Sequence, residues 1–310
     1  MKGYVIDKNG NEELLPDFLS WDICHGMGEP CDFFEVSYIY YTTQLYLLED
    51  AVRFKAVHND EVVFIGIVDE YTVTIDERGC VATINGRSLA ALLLDNAVGA
   101  AAYPSVNLTQ ILNTYVKPLG ITDIRSTTMP ALYNFSVSVG ESAWGVLKRY
   151  CRYASNIQPR FSKEGKLILD KEAGDSALIN ADKDVVAVRL RNERYGIIST
   201  VQMINRVTGQ IYTVNNQKFI NSGGKRRHVM TIPRNLGANA ARYTGEYQIA
   251  ESERGKKYVE LTMTVQFRFF PGDVVHIFND ALGLDGTYTV ASTHCWADGV
   301  SAGTVLKLEV

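Results

Sequence analysis

Apolar and polar positions in this chain follow two periods. Near the N-terminus they alternate residue by residue. VRFKAVH, from Val52 to His58, places apolar groups at every second position, the period of a strand with one buried face. EVVFIGIVDEYTVTID, from Glu61 to Asp76, reads as a long strand that bends at Gly66, and the polar run His58-Asn59-Asp60-Glu61 joins the two. YIYYTTQLYLL, Tyr38 to Leu48, is rich in strand formers. Trp21 and the Gly26, Gly28 and Pro30 cluster belong to an irregular loop.

From about Ala82 to Asp170 the period changes to that of a helix. Gly86 predicts a sharp turn after the strand VATI, with Ser88 as a helix N-cap and Leu89, Leu92, Leu93 and Ala97 on one face. Asn107 with Gln110 three residues on forms a capping box. Leu108, Ile111, Leu112 and Tyr115 follow helical spacing until Pro118 and Gly120 stop it. A third helix starts near Glu141 or Ser142 and buries Trp144, Leu147, Cys151 and Ala154. The short strands ITDIR, YNFSVSV, IQPRF and KLILD punctuate these helices, and Lys163-Glu164-Gly165 turns the last pair into a hairpin.

From about Val185 the alternation returns in VVAVRLRNER, GIISTVQMINR and QIYTV, with a tight turn at Thr208-Gly209. A polar loop is expected over 215–228. A helix over 238–254 places Ala240, Tyr243, Tyr247 and Ala250 on one side and ends at Gly255. KYVELTMTVQFRF, the turn Pro271-Gly272-Asp273, VVHIF, GTYTVASTHCW and TVLKLEV close the chain as strands. The reading is a mainly β, α+β protein. Residues 1–85 form a first β-domain, 86–182 an α/β insert, and 183–310 a second β-domain that carries the helix. Both flanks share a pattern of long alternating strands, although periodicity does not establish that they are copies of one barrel.

Composition narrows the function classes. The 310 residues carry 31 Lys and Arg against 35 Asp and Glu, a formal charge of -4, which argues against a general nucleic-acid binder. MKGYVIDKNG has no apolar core of a signal peptide, and no apolar run approaches the ~20 residues of a membrane span. The five cysteines, Cys24, Cys31, Cys80, Cys151 and Cys295, are odd in number and irregular in spacing, so reduced, mostly buried thiols are expected. Cys24, His25 and Cys31 would be half of a metal site, but no second half has matching spacing, so no metal and no cofactor are expected.

The chemistry-bearing motifs are sparse. Nucleophile-elbow, zinc-protease and Walker patterns are absent. Gly223-Gly224-Lys225 lacks the first glycine and the following hydroxyl of a phosphate loop, so Lys225, Arg226, Arg227 and His228 read as a solvated basic patch facing a partner or a lumen. His294 precedes Cys295, but strand neighbours point to opposite faces. Asp69-Glu70 and Asp182/Asp184 read as turn carboxylates. No catalytic residue is assigned.

ATINGRSLAALLLDN, then the helix–Pro–Gly–strand unit, then ESAWGVLKRYCRYASNIQPRFSKEGKLILD resembles the baseplate hub proteins of contractile phage tails. That family includes the late-control protein D type, the hub of phage Mu and hubs of PBSX-like prophages. The residues that carry the resemblance are Gly86, Arg87 and Ser88 after the first β-domain, and Trp144 before the hairpin. At the C-terminus they are Pro271, Gly272, Asp273, Gly286, Tyr288 and His294. The resemblance runs from about Val62 to Val310.

It implies a homotrimer in which each chain supplies two tube-type β-barrels, so that three copies present six barrels around a channel. The implied partners are the tail tube protein, the central spike, the tape-measure protein and baseplate wedge proteins, with DNA passing transiently if the particle is a phage. The implied location is the baseplate of a virion or of a tail-like particle such as an R-type bacteriocin, assembled in the bacterial cytoplasm without membrane insertion by this chain. Two other classes stay open: a cell-wall hydrolase travelling with a tail, and a carbohydrate- or receptor-binding module at its tip.

Overall fold

A computed structural model describes residues 1–27, 32–41, 48–77, 79–172, 174–232 and 237–309. The expected strand over Tyr38 to Leu48 falls partly outside these residues, as do Gly28, Pro30 and Cys31, and with Cys31 the proposed metal half-site.

The N-terminal half consists of β1 (Lys2–Ile6), β2 (Glu12–Leu14), β3 (Phe18–Gly26), β4 (Phe33–Ile39), β5 (Arg53–His58), β6 (Glu61–Asp76) and β7 (Gly79–Ser88). They pair antiparallel in the order β3-β4-β7-β6-β5-β1-β2. Alternation places Phe54 and Ala56 of β5 inside and leaves Arg53 and Lys55 partly exposed. Phe34, Phe54, Phe64 and Ile84 fill the core, with the Phe34 and Phe54 rings stacked at 4.1 Å. The register of β6 against β7 shifts between Val68 and Glu70. β6 thus carries a bulge at Asp69 against β7 and a second register shift at Val63 against β5, while Gly66 pairs in register with Phe54 and Ser88.

The α/β insert follows: α1 (Ala90–Leu94), β8 (Ala101–Val106), α2 (Leu108–Ile111), β9 (Ile124–Ser126), β10 (Leu132–Val137), α3 (Ala143–Ser155), β11 (Arg160–Phe161) and β12 (Leu167–Leu169). Asn107 caps α2 in a two-way box with Gln110, each bond 2.9 Å. A π turn over Leu112–Val116 and a 3-10 turn over Lys117–Leu119 extend α2 to Gly120, whose φ of 84° ends it. Ser142 caps α3 at 3.1 Å. Trp144, Leu147, Cys151 and Ala154 lie in the insert core as the spacing predicts, with Trp144 against Phe161.

The C-terminal half begins earlier than 183. It comprises β13 (Ser176–Asn180), β14 (Ala187–Asn192), then β15 (Thr200–Asn205), β16 (Ile211–Asn215), α4 (Gln217–Asn221), β17 (Arg227–Ile232), α5 (Ala238–Glu253), β18 (Lys257–Met263), β19 (Val274–Asn279), β20 (Leu284–Ala297) and β21 (Ala302–Glu309). β13, which the sequence reading assigned to the insert, pairs in parallel with β19. β15, β16 and β17 form a separate sheet covered by α5, with a small core of Val201, Met203, Ala241 and Ile249. The C-terminal β-structure is thus interrupted by a second α/β unit. The polar loop expected over 215–228 contains α4, because the Asn216 side chain accepts from the Phe219 N–H at 3.1 Å, and the start of β17.

The two halves are continuous. One path of hydrogen-bonded strands runs β14-β18-β21-β20-β3-β4-β7-β6-β5-β1-β2. Yet each half has its own core, the second built on Val259, Leu261, Ile277, Leu306 and Leu308. No helix among the described residues is long and apolar enough to cross a membrane.

Candidate functional site

The residues of interest converge where the two β-halves meet. The seam is the antiparallel pairing of β3 with β20, from Gly26↔Ser292 to Trp21↔Ala297. Ile23 and Cys295 sit opposite one another on the buried side. On the outer side His294 Nε2 lies 2.9 Å from Asp22 Oδ1, and the His294 ring packs on Trp296 at 5.1 Å.

A crossing segment reinforces the seam. β18 ends at Met263, short of the strand expected through Phe269. Over the next residues Phe267 and Phe270 pack against the N-terminal core while Phe269 is buried in the C-terminal one. Phe267 meets Trp21 at 5.3 Å, and Phe270 meets the buried His25 at 5.3 Å. His25 Nε2 is 3.0 Å from the Val63 carbonyl, so a polar ring in the core has a partner. The Phe269 carbonyl accepts from Thr293 Oγ1 at 2.9 Å. The segment is thus packed into both cores at once, with the Phe269 carbonyl and the Phe270 N–H both bonded.

The Pro271-Gly272-Asp273 turn bonds the segment that leads from the insert into β13. Asp273 Oδ2 accepts from the Phe270 N–H at 2.7 Å and Oδ1 from the Asp175 N–H at 3.0 Å. Gly272 adopts φ 98°, its N–H donates to the Val290 carbonyl, and its carbonyl accepts from the Gly174 N–H, both at 2.9 Å. Burial raises the Asp273 carboxyl above its ordinary value and lowers the nearby Arg160 guanidinium. A cleft of 440 Å³ opens here, lined by His25, Arg160, Lys163, Phe270 and Asp273 among others.

The remaining motif residues do other work. Gly86 is not in a turn: it lies inside β7, where a Cβ would stand 1.9 Å from the Ile67 carbonyl oxygen and 2.8 Å from Phe34. Its role is close approach of β6, not a left-handed backbone. Ser88 is not a cap either. Leu89 holds the N-cap position without a side-chain bond, and Ser88 Oγ accepts from the Asp32 N–H at 3.2 Å. Arg87 forms paired bonds to Asp69 (2.6 and 2.8 Å) and to Asp95 (3.1 and 2.8 Å), which tie the β6 bulge to the end of α1. Gly286 and Tyr288 lie in β20, with Tyr288 against the C-terminal core. Lys225, Arg226 and Arg227 are exposed at the edge of the second α/β unit, and Arg227 and His228 pair in register with Thr200 and Val201.

The structure does not bring together a catalytic set from the residues considered. Burial pushes the Cys295 thiol up to about 11 and the Cys24 thiol up to about 12, so neither is a ready thiolate. Asp182 accepts from Asn279 Nδ2 and the Asp280 N–H, and Asp184 from the Asn180 N–H; these carboxylates hold turns. Among the described residues no group of three His, Cys, Asp or Glu could hold a metal ion. The crossing segment was missed in sequence. Its signal was three phenylalanines within four residues, too dense for a one-sided strand.

No protein-family model matches the chain, and no curated protein matches it by sequence. Its shape does match solved structures. The tail protein from Neisseria meningitidis superposes with a TM-score of 0.78 at 15% identity, covering 100% of this chain and 96% of that one. The 43 kDa tail protein of prophage MuSo2 from Shewanella oneidensis gives 0.74 at 17% identity, covering 99% and 98%. An E. coli component of the type VI secretion system, described as similar to T4 bacteriophage tail proteins gp27 and gp5, gives 0.62 at 10% identity, covering 94% and 73%. The chain therefore has the fold of these phage tail proteins.

Proposed function

We propose that this chain is the structural baseplate hub of a contractile phage tail or tail-like particle. Three copies assemble so that their six β-halves surround a channel and match a sixfold tail tube to a threefold spike. The observation that carries the reading is the joint: two β-halves with separate cores, welded into one sheet at β3 and β20. Two β-halves per chain, joined through one sheet, are what a three-copy ring needs to imitate six. The likeness to tail proteins over nearly their whole lengths supports the same assignment.

In this reading the partners are further copies of the chain, the tail tube protein, the spike, the tape-measure protein and wedge proteins, with DNA passing through the channel if the particle is a phage. Exposed apolar side chains such as Leu178 in β13, Leu190 in β14 and Val186 just before β14 provide contact surface. A structural role needs no catalysis, and the chain is expected to leave peptidoglycan intact. Light scattering on the purified chain, alone and with its tube and spike proteins, tests the assignment. A species of three times the 34.5 kDa protomer mass supports it. A chain that stays monomeric with both partners present, or that lyses peptidoglycan, contradicts it.

A further inference from the structure

A second cavity, of 690 Å³, lies away from the joint, between the β8–β10 ribbon of the insert, α3 and the start of α5. Its walls carry Tyr103, Tyr133 and Tyr153, with Asn134 on the ribbon and Asn239 on α5. Tyr133 is 74% exposed, so its ring face is open to a ligand.

Three features define what could bind. The first is charge. Among the described residues lining the cavity the charged one is Arg149, and Glu141 neutralises it with two bonds of 3.0 and 2.7 Å. Its guanidinium also lies 4.4 Å from the Phe135 ring centroid, so it is already committed on two sides. Among the described residues a strongly anionic or cationic ligand finds no net counter-charge here.

The second is polarity. The Asn134 and Asn239 side chains are both exposed at the cavity wall, which leaves the donors and acceptor of each amide open to water or to a ligand. The third is backbone conformation. Asn134 holds φ 54° in the middle of β10, a left-handed conformation uncommon inside a strand even for asparagine, and one found at binding sites.

Tyrosine faces stack on the apolar faces of sugar rings, and planar amides bond pairs of neighbouring hydroxyls. From this we infer that the cavity binds a neutral oligosaccharide, seated on Tyr133 and bonded by Asn134 and Asn239. The inference is independent of the hub assignment. A hub can carry such a site, and sugar binding is read separately from trimer formation.

Titration calorimetry with the full chain tests it, using three neutral trisaccharides (chitotriose, cellotriose and maltotriose) and trigalacturonate as the charged control. At least one neutral sugar should bind at one site per chain. Tyr133→Ala should weaken that binding about tenfold or more, the factor equivalent to about 1.4 kcal/mol. Asn134→Gly, which suits the left-handed backbone and removes the amide, should also lose binding without loss of melting temperature. The inference is overturned if none of the neutral sugars binds, if trigalacturonate binds more tightly than all of them, or if both variants bind as the parent does. A site that instead takes an extended uncharged peptide along the β10 edge would show as absence of sugar binding, and so as failure.

Discussion

His294 of β20 and Asp22 of β3 face each other at 2.9 Å across the seam that joins the two β-halves. The pair marks the joint but does not hold it. Both side chains are more than a third exposed, and exposed ion pairs contribute ~0–1 kcal/mol. The buried layer beneath, Ile23 against Cys295, removes apolar surface from water on both halves at once. His294→Ala should therefore change stability by under about 1 kcal/mol, whereas Ile23→Ala should cost roughly 2–5 kcal/mol. Urea unfolding of the two variants compares them directly, and equal losses would show that the outer pair carries the seam.

Gly86 and Gly286 both belong to the motif set, but their surroundings differ. A Cβ at Gly86 collides with the backbone of β6, while one at Gly286 meets Tyr288 at an ordinary 3.5 Å. Gly86→Ala should lower the melting temperature sharply or prevent folding, and Gly286→Ala should be tolerated. Similar melting curves for the two would remove close approach as the reason for Gly86.

Trp144 is buried to 5% exposure beneath the insert. Trp144→Ala should destabilise by about 3–5 kcal/mol, as large core truncations do. An unchanged melting temperature would place Trp144 outside the core's energetics.

Asp273 gives the joint a pH dependence of predictable sign. Burial holds its carboxyl above the ordinary 3.8, so the folded chain binds this proton more tightly than the unfolded one. Its contribution is complete below 3.8 and fades as pH rises through the folded value. Asp273→Asn lacks that titration. The parent's stability relative to the variant should therefore decrease between about pH 3 and about pH 7. Urea midpoints of both proteins at the two values read this difference, and a gap that widens toward neutral pH would reverse the sign.

The thiols make a chemical prediction. With Cys24 held at about 12 and Cys295 at about 11, chiefly by burial, both should resist iodoacetamide in the native chain and react once it is unfolded. Peptide mapping after labelling assigns the sites. Rapid native modification of Cys295 would indicate an activated thiol and reopen an enzymatic reading.

Local signals in the sequence survive in the fold, and long-range ones do not. The Asn107–Gln110 box, the Ser142 cap and the stops at Gly120 and Gly165 depend on residues a few positions apart, and each was legible. Gly86 was read as a turn because glycine often marks one. Its actual constraint is the Ile67 carbonyl on a neighbouring strand, which no local pattern contains. β13 pairs in parallel with β19 nearly a hundred residues later, so its membership of the C-terminal half was invisible. Of the second α/β unit the helix, the strands GIISTVQMINR and QIYTV and their Thr208-Gly209 turn were legible, but not that they form a sheet and core of their own. α5 buries small residues, Ala240, Ala241, Thr244 and Gly245, against β15 and β16, and these leave a faint apolar stripe. The joint itself depends on Phe267, Phe269 and Phe270 serving two cores in turn, an arrangement that resembles a strand until both cores are known.

The measurement that bears most directly on the account is a reconstruction of the particle base with this subunit located in it. Three copies arranged so that six β-halves form one ring between tube and spike is the predicted result. Six copies in that ring, or a position on the outer fibres away from the axis, would contradict it.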